Sequence, residues 1–213
     1  MVRQQVELCY AENIADALTN AQSDGYRPLF MPEIAQQRIH AENDSPLWKN
    51  WLTSQSLIAV GKQGNGTPTV VFAHIPHYLS TPGNIREAKR VNGAVRLPQS
   101  EFDRLVSLKG SKVSVLQGEK YEAWLDSASG LIRIADALDH PQVVPFLGLK
   151  KKGAERYLKR HAEVYNTTSI GVWHTCDSLD DGPSGRLPWV GSNNYNGLYG
   201  YNLILWWAFR RGT

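Results

Sequence analysis

Residues 56–75 read SLIAVGKQGNGTPTVVFAHI. Ser56 to Val60 is mostly apolar, and Thr69 to Ile75 is rich in β-branched side chains. Between them, Gly61 to Pro68 concentrates turn formers, so the stretch predicts a hairpin. Gly61, Gly64 and Gly66 do not suit a phosphate-binding loop. Such a loop joins a strand to a helix start, and here a strand-like segment follows. The hairpin decides the fold class. A regular strand–helix series would build a parallel sheet, and a hairpin in mid-chain interrupts it.

Upstream, Val6, Leu8 and Tyr10 alternate as in a short strand. Ile14, Ala17, Leu18 and Ala21 share one face of a helix over 12–22, with Gly25 as its stop. Pro32 suits a second helix start, with Ile34, Arg38 and Ile39 at helical spacing. Ser45-Pro46 repeats a cap-and-proline start before Leu47, Trp48, Trp51 and Leu52. Downstream, 76–83 reads as a loop, 86–91 as a short helix closed by Asn92-Gly93, and 98–107 as a helix with Phe102 and Leu105 inward. Strands are predicted at 112–116, 131–134 and 170–173, a strong helix at 151–165, and a buried final strand at 203–209. The sum is an α+β fold with a mixed or mostly antiparallel sheet and several short helices, in one domain over 1–213. A boundary near 166 would set off 166–213 as a lobe of its own.

At 42% hydrophobic residues, with seven tryptophans, the chain can fill a real core, which argues against disorder. Its +3 charge is concentrated. Residues 149–165 hold six basic and two acidic side chains, a local +4 that leaves −1 for the rest. Cys9 and Cys176 are too few for a disulfide framework. The first residues lack a signal-like apolar core, and the longest apolar run, Leu203 to Phe209, is far short of the ~20 residues a spanning helix needs. These features predict a soluble, cytoplasmic protein with free thiols.

Function points to 171–202, GVWHTCDSLDDGPSGRLPWVGSNNYNGLYGYN, where reactive side chains sit among glycine, proline and asparagine. Three chemistries compete. The first is a metal site. His74 and His77 follow one strand, and His174 and Cys176 another, so the four would offer zinc or another divalent metal a ligand set. Against it, neither pair has the usual zinc spacing, and 74 and 77 point oppositely unless Pro76 breaks the strand. His74 then reads as a hydrogen-bonded core residue and Cys176 as a small buried hydrophobe. The second is hydrolysis, metal-assisted or Cys/His-based, with His174, Cys176 and Asp177 as the reactive groups and Arg186 stabilising negative charge. Ser184 fails as a nucleophile elbow because Arg186 replaces the last glycine.

The third is binding without catalysis. Trp189, Asn193, Tyr195 and Tyr199 make a tyrosine–asparagine–glycine mixture like that of adaptable binding surfaces. A small molecule or a protein is the expected ligand, and the terminal aromatics also suit a homo-oligomer interface. Lys150, Lys152, Arg156, Lys159 and Arg160 would suit nucleic acid, although no nucleic-acid-binding motif accompanies them. Since every catalytic motif fails, a soluble binding or interaction module using 174–202 is the leading expectation. No motif assigns the chain to a family.

Overall fold

The hairpin forms, and both of its faces are covered. It comprises strands Leu57–Lys62 and Pro68–Ala73, paired antiparallel from Leu57–Ala73 to Lys62–Pro68. Ile58, Val60, Val70 and Phe72 enter one core, while Leu57, Ala59, Val71 and Ala73 enter another. A strand buried on both sides reads as a continuous apolar run, which is why this segment stands out in the sequence. Each fully buried Leu, Ile or Phe contributes roughly 1.5–3 kcal/mol of burial free energy.

A computed structural model describes residues 6–11, 13–91, 93–127, 129–174, 179–192, 197–200 and 206–211. In chain order, β1 (Val6–Tyr10) leads through α1 (Ile14–Ser23), β2 (Tyr26–Pro28), α2 (Met31–His40) and α3 (Pro46–Lys49) to β3 (Leu52–Thr53). The hairpin strands β4 and β5 are followed by α4 (Pro82–Glu87), β6 (Arg90–Val91), β7 (Ala94–Arg96), α5 (Gln99–Ser107) and β8 (Val113–Gln117). Then come α6 (Glu119–Leu125), β9 (Gly130–Arg133), α7 (Val143–Leu147) and α8 (Lys151–Tyr165). The last strands are β10 (Ser169–His174), β11 (Ser184–Arg186), β12 (Trp189–Val190), β13 (Gly197–Gly200) and β14 (Trp206–Arg211).

Two sheets result. The first runs β1-β14-β3-β12-β13-β10-β9, with β2 also on β14; its parallel pairs are β10/β13 and β14/β3. The second, β6-β7-β11-β4-β5-β8, is antiparallel throughout. The fold is thus α+β, with eight α-helices among the described residues. Strands from beyond residue 166 thread both sheets, because β11 joins the second while β10, β12, β13 and β14 lie in the first. No helix among the described residues is long and apolar enough to cross a membrane.

One helix is displaced from its expected place. It spans Pro82–Glu87 rather than 86–91, because Thr81-Pro82 supplies the start, proline suiting the first turn. Arg90–Val91 pairs instead with Ala94–Arg96 across Gly93, whose φ of +77° is a turn conformation. The expected loop at 76–83 contains a 3-10 turn, Tyr78–Ser80, and the start of α4. Of the expected final strand, 203–205 lie outside the described residues; 206–211 have strand neighbours on both sides.

Candidate binding surface

The segment from Ser169 to Arg186 passes from one sheet to the other, and the chain then returns. β10 lies in the first sheet, β11 in the second, and β12 and β13 again in the first. Its framework is buried. Ser184, Arg186, Leu187, Trp189, Val190 and Leu198 are all at most 3% exposed. The stretches between these strands are pinned at their bases. Pro188 O accepts from both the backbone N–H and the hydroxyl of Ser54, each at 3.0 Å. Pro183 O accepts from Leu97 N–H at 3.0 Å, and Gly182 O accepts from Arg96 at 2.6 Å.

β12 and β13 pair as Trp189–Tyr199 and Val190–Leu198, and Gly191 N–H donates to Gly197 O at 3.0 Å. Residues 192–196 therefore connect the two ends of a closed hairpin stem. Gly197 admits no side chain, because an added Cβ would lie 2.6 Å from Gly171 O on the neighbouring strand. Arg38 holds the other end. It is fully buried, and its guanidinium donates to Gly191 O (3.1 Å), Leu47 O (2.8 Å), Asn50 O (3.1 Å) and Tyr157 Oη (3.2 Å). Arg38 also stacks over Trp48, 4.9 Å from the ring centre. The sequence signal for this role is an arginine at helical spacing between Ile34 and Ile39.

The expected site residues are distributed as follows. Ser56 Oγ accepts from Met31 N–H and donates to His74 Nδ1 at 2.8 Å, and His74 Nε2–H donates to Pro145 O at 2.9 Å. His77 accepts from Leu79 N–H at Nδ1 (3.1 Å) and donates from Nε2 to Gln55 O (2.7 Å). The strand ends at Ala73, ahead of both histidines, and both rings are buried, with their nitrogens occupied. Burial pushes each pKa down to about 4, against the raising effect of its carbonyl bond. His74 is thus a hydrogen-bonded core residue.

His174 ends β10 and shares no partner with His74. Its ring lies tilted against Trp124 with 4.8 Å between ring centres, and Nδ1 lies 3.2 Å from Ser129 Oγ. Desolvation first, and His140 second, pull it down to about 4. Among the described residues no three His, Cys, Asp or Glu side chains gather in a metal-binding group. Cys176, Asp177, Asn193 and Tyr195 lie outside the described residues, as does the side chain of Tyr199. Cys9 is a free thiol, its pKa raised by burial and by Asp24 and Glu7.

The expected exposure of Trp189 is corrected, and Arg186 is buried as well. Arg186 is 3% exposed because β11 lies between β4 and β7. Trp189 is also 3% exposed, packed against Trp51 at 5.6 Å between rings, because β12 lies inside the first sheet. Trp189→Ala should therefore lower stability by about 3 kcal/mol, as truncation of a buried large aromatic does. Urea denaturation checks this, and a loss below about 1 kcal/mol would contradict the packing. On α8, Lys152, Arg156 and Lys159 are exposed opposite buried Ala154, Tyr157 and Leu158. Lys150 is exposed at the N-cap, whereas Arg160 is committed to Ala41 O, Asn43 and Glu163.

No protein-family model matches the sequence. A solved structure describing the accommodation of massive sequence variation in Nanoarchaeota by the C-type lectin fold is similar throughout. The TM-score is 0.90, with 41% sequence identity over 98% of each chain. The chain belongs to the C-type lectin fold. In this lectin fold the described strands of 169–200 form a buried framework, and residues 193–196 join Ser192 to Gly197 outside the described residues. The fold is that of a binding module, which agrees with the leading expectation from sequence.

Proposed function

We propose that this C-type lectin fold chain is a binding module without catalytic activity, and that it presents the 174–202 segment to its ligand. Asn193, Tyr195 and Tyr199 make the ligand contacts. The observation that carries this reading is the closed stem at Gly191 and Gly197, fixed from behind by Arg38. A connection anchored by backbone bonds at its base can change its side chains without disturbing the sheet. The similar solved structure supports the same reading, since it concerns massive sequence variation borne by this fold.

The test replaces Asn193, Asn194, Tyr195 and Asn196 together by alanine and follows two quantities. The melting temperature should stay within about 3 °C, a change of about 1 kcal/mol in a chain of this size. Capture of ligands that the parent chain selects from a protein and glycan array should fall at least tenfold. Collapse of the fold, or undiminished capture, would defeat the proposal.

A further inference from the structure

A groove of about 830 Å³ runs between α2 and the start of α8. That is the size of small-molecule pockets, roughly 300–1,000 Å³. Leu29, Pro32 and Leu149 give it apolar walls, and Gly148 and Gly153 complete its lining. A smaller cavity of about 270 Å³ adjoins it, sharing Pro32, Glu33 and Lys112, and reaches Phe30 and His74.

The charges around this space do not balance. Glu33 is the anionic side chain lining it, and it is engaged twice. The Arg27 guanidinium grips it in a fork at 3.0 and 2.5 Å, and Phe30 N–H donates to it at 2.9 Å. Lys112 and Lys150 line the groove and form no ion pair among the described residues. Three cations against one anion leave a local +2 over apolar walls. The remaining cations are ammonium point charges, and the guanidinium fork that would suit a phosphate is already occupied.

We propose that this groove binds a small organic anion of the aliphatic carboxylate class. The carboxylate faces Lys112 and Lys150, and the chain lies against Leu29, Pro32 and Leu149. This site is independent of the 174–202 surface.

Decanoate, below its micelle concentration, is the probe, titrated into the full chain by calorimetry. One saturable site is expected. Lys112→Glu with Lys150→Glu should weaken binding at least tenfold, and both positions are exposed, so the fold should persist by circular dichroism. Gln36→Trp, at an exposed position on the groove wall, should block binding by filling the space. Decanol should bind at least tenfold more weakly than decanoate and be indifferent to the lysine reversals. Absence of saturation, equal affinity in the reversed variant, or decanol equal to decanoate would overturn the proposal.

Discussion

The protein is expected to unfold cooperatively between about pH 4 and 5, as the pH falls well below the ordinary histidine value. Three buried histidines cause this. Burial lowers His74 and His77 to about 4 and His161 to about 3, Arg38 adding to the effect at His161. Their folded values lie below the unfolded value near 6.5, so below pH 6.5 the unfolded chain takes up protons that the folded chain refuses. The stability is complete above pH 6.5 and is lost as pH falls toward the folded values. At pH 5 the difference is roughly 2 kcal/mol per histidine, and at pH 4 about 3. Summed over three sites, this approaches the whole stability of an ordinary domain, about 5–15 kcal/mol. Tryptophan fluorescence and circular dichroism against pH measure the midpoint, and a native chain at pH 3 would refute the account. His161→Phe separates burial from bonding. His161 is 1% exposed, and neither ring nitrogen has a hydrogen-bond partner among the described residues, so no bond seen there is lost on replacement. The ring sits among Trp48, Tyr157 and Tyr165, which favour an aromatic substitute. The variant should match or exceed the parent at pH 7 and unfold at lower pH. A midpoint shifted upward would contradict this.

What the sequence reveals of this fold follows from where each signal is stored. The hairpin and α8 are legible because their burial is written locally, as a doubly buried apolar run and as a face repeating Ala154, Tyr157 and Leu158. The short strands are not. Leu52–Thr53 becomes β3 by pairing with Trp189–Val190, far along the chain, and two residues carry no period of their own. The same limit governs the site. Tyrosine, asparagine and glycine mark the region of 193–199, but whether Trp189 faces solvent depends on β12 lying between β3 and β13. The spacing of His74 and His77 suggests ligands, but both lie beyond the end of β5 at Ala73. Each ring there finds its own partners, Ser56 Oγ and Pro145 O for His74, and Gln55 O and Leu79 N–H for His77. Burial of Arg38 and His161 is tertiary, since each is placed by elements that meet only in the folded chain.

Arg38→Ala should destabilise the fold by about 4 kcal/mol, combining the cavity left by a fully buried side chain with unsatisfied polar groups. Leu47 O, Asn50 O and Gly191 O would lose a charged donor, and no carboxylate among the described residues pairs with Arg38, so the cost falls on the backbone acceptors. Tyr165 Oη, which donates to Trp48 O at 2.5 Å, also lies 3.5 Å from Gly191 O and can compensate only there. At 2–4 °C per kcal/mol, the melting temperature should drop by about 12 °C. Arg38→Lys should recover little of this, because one ammonium cannot serve three divergent carbonyls as a planar five-donor group does. Rescue to within 1 kcal/mol by lysine would show that charge, not geometry, holds the segment. The comparison with the alanine replacement of residues 193–196 is the informative one. That variant alters the side chains of the connection and should leave stability almost unchanged, whereas Arg38→Ala alters none of them and releases the carbonyl at its base. If the stem is what lets this surface vary, the two variants must separate: binding lost without stability in one, stability lost first in the other.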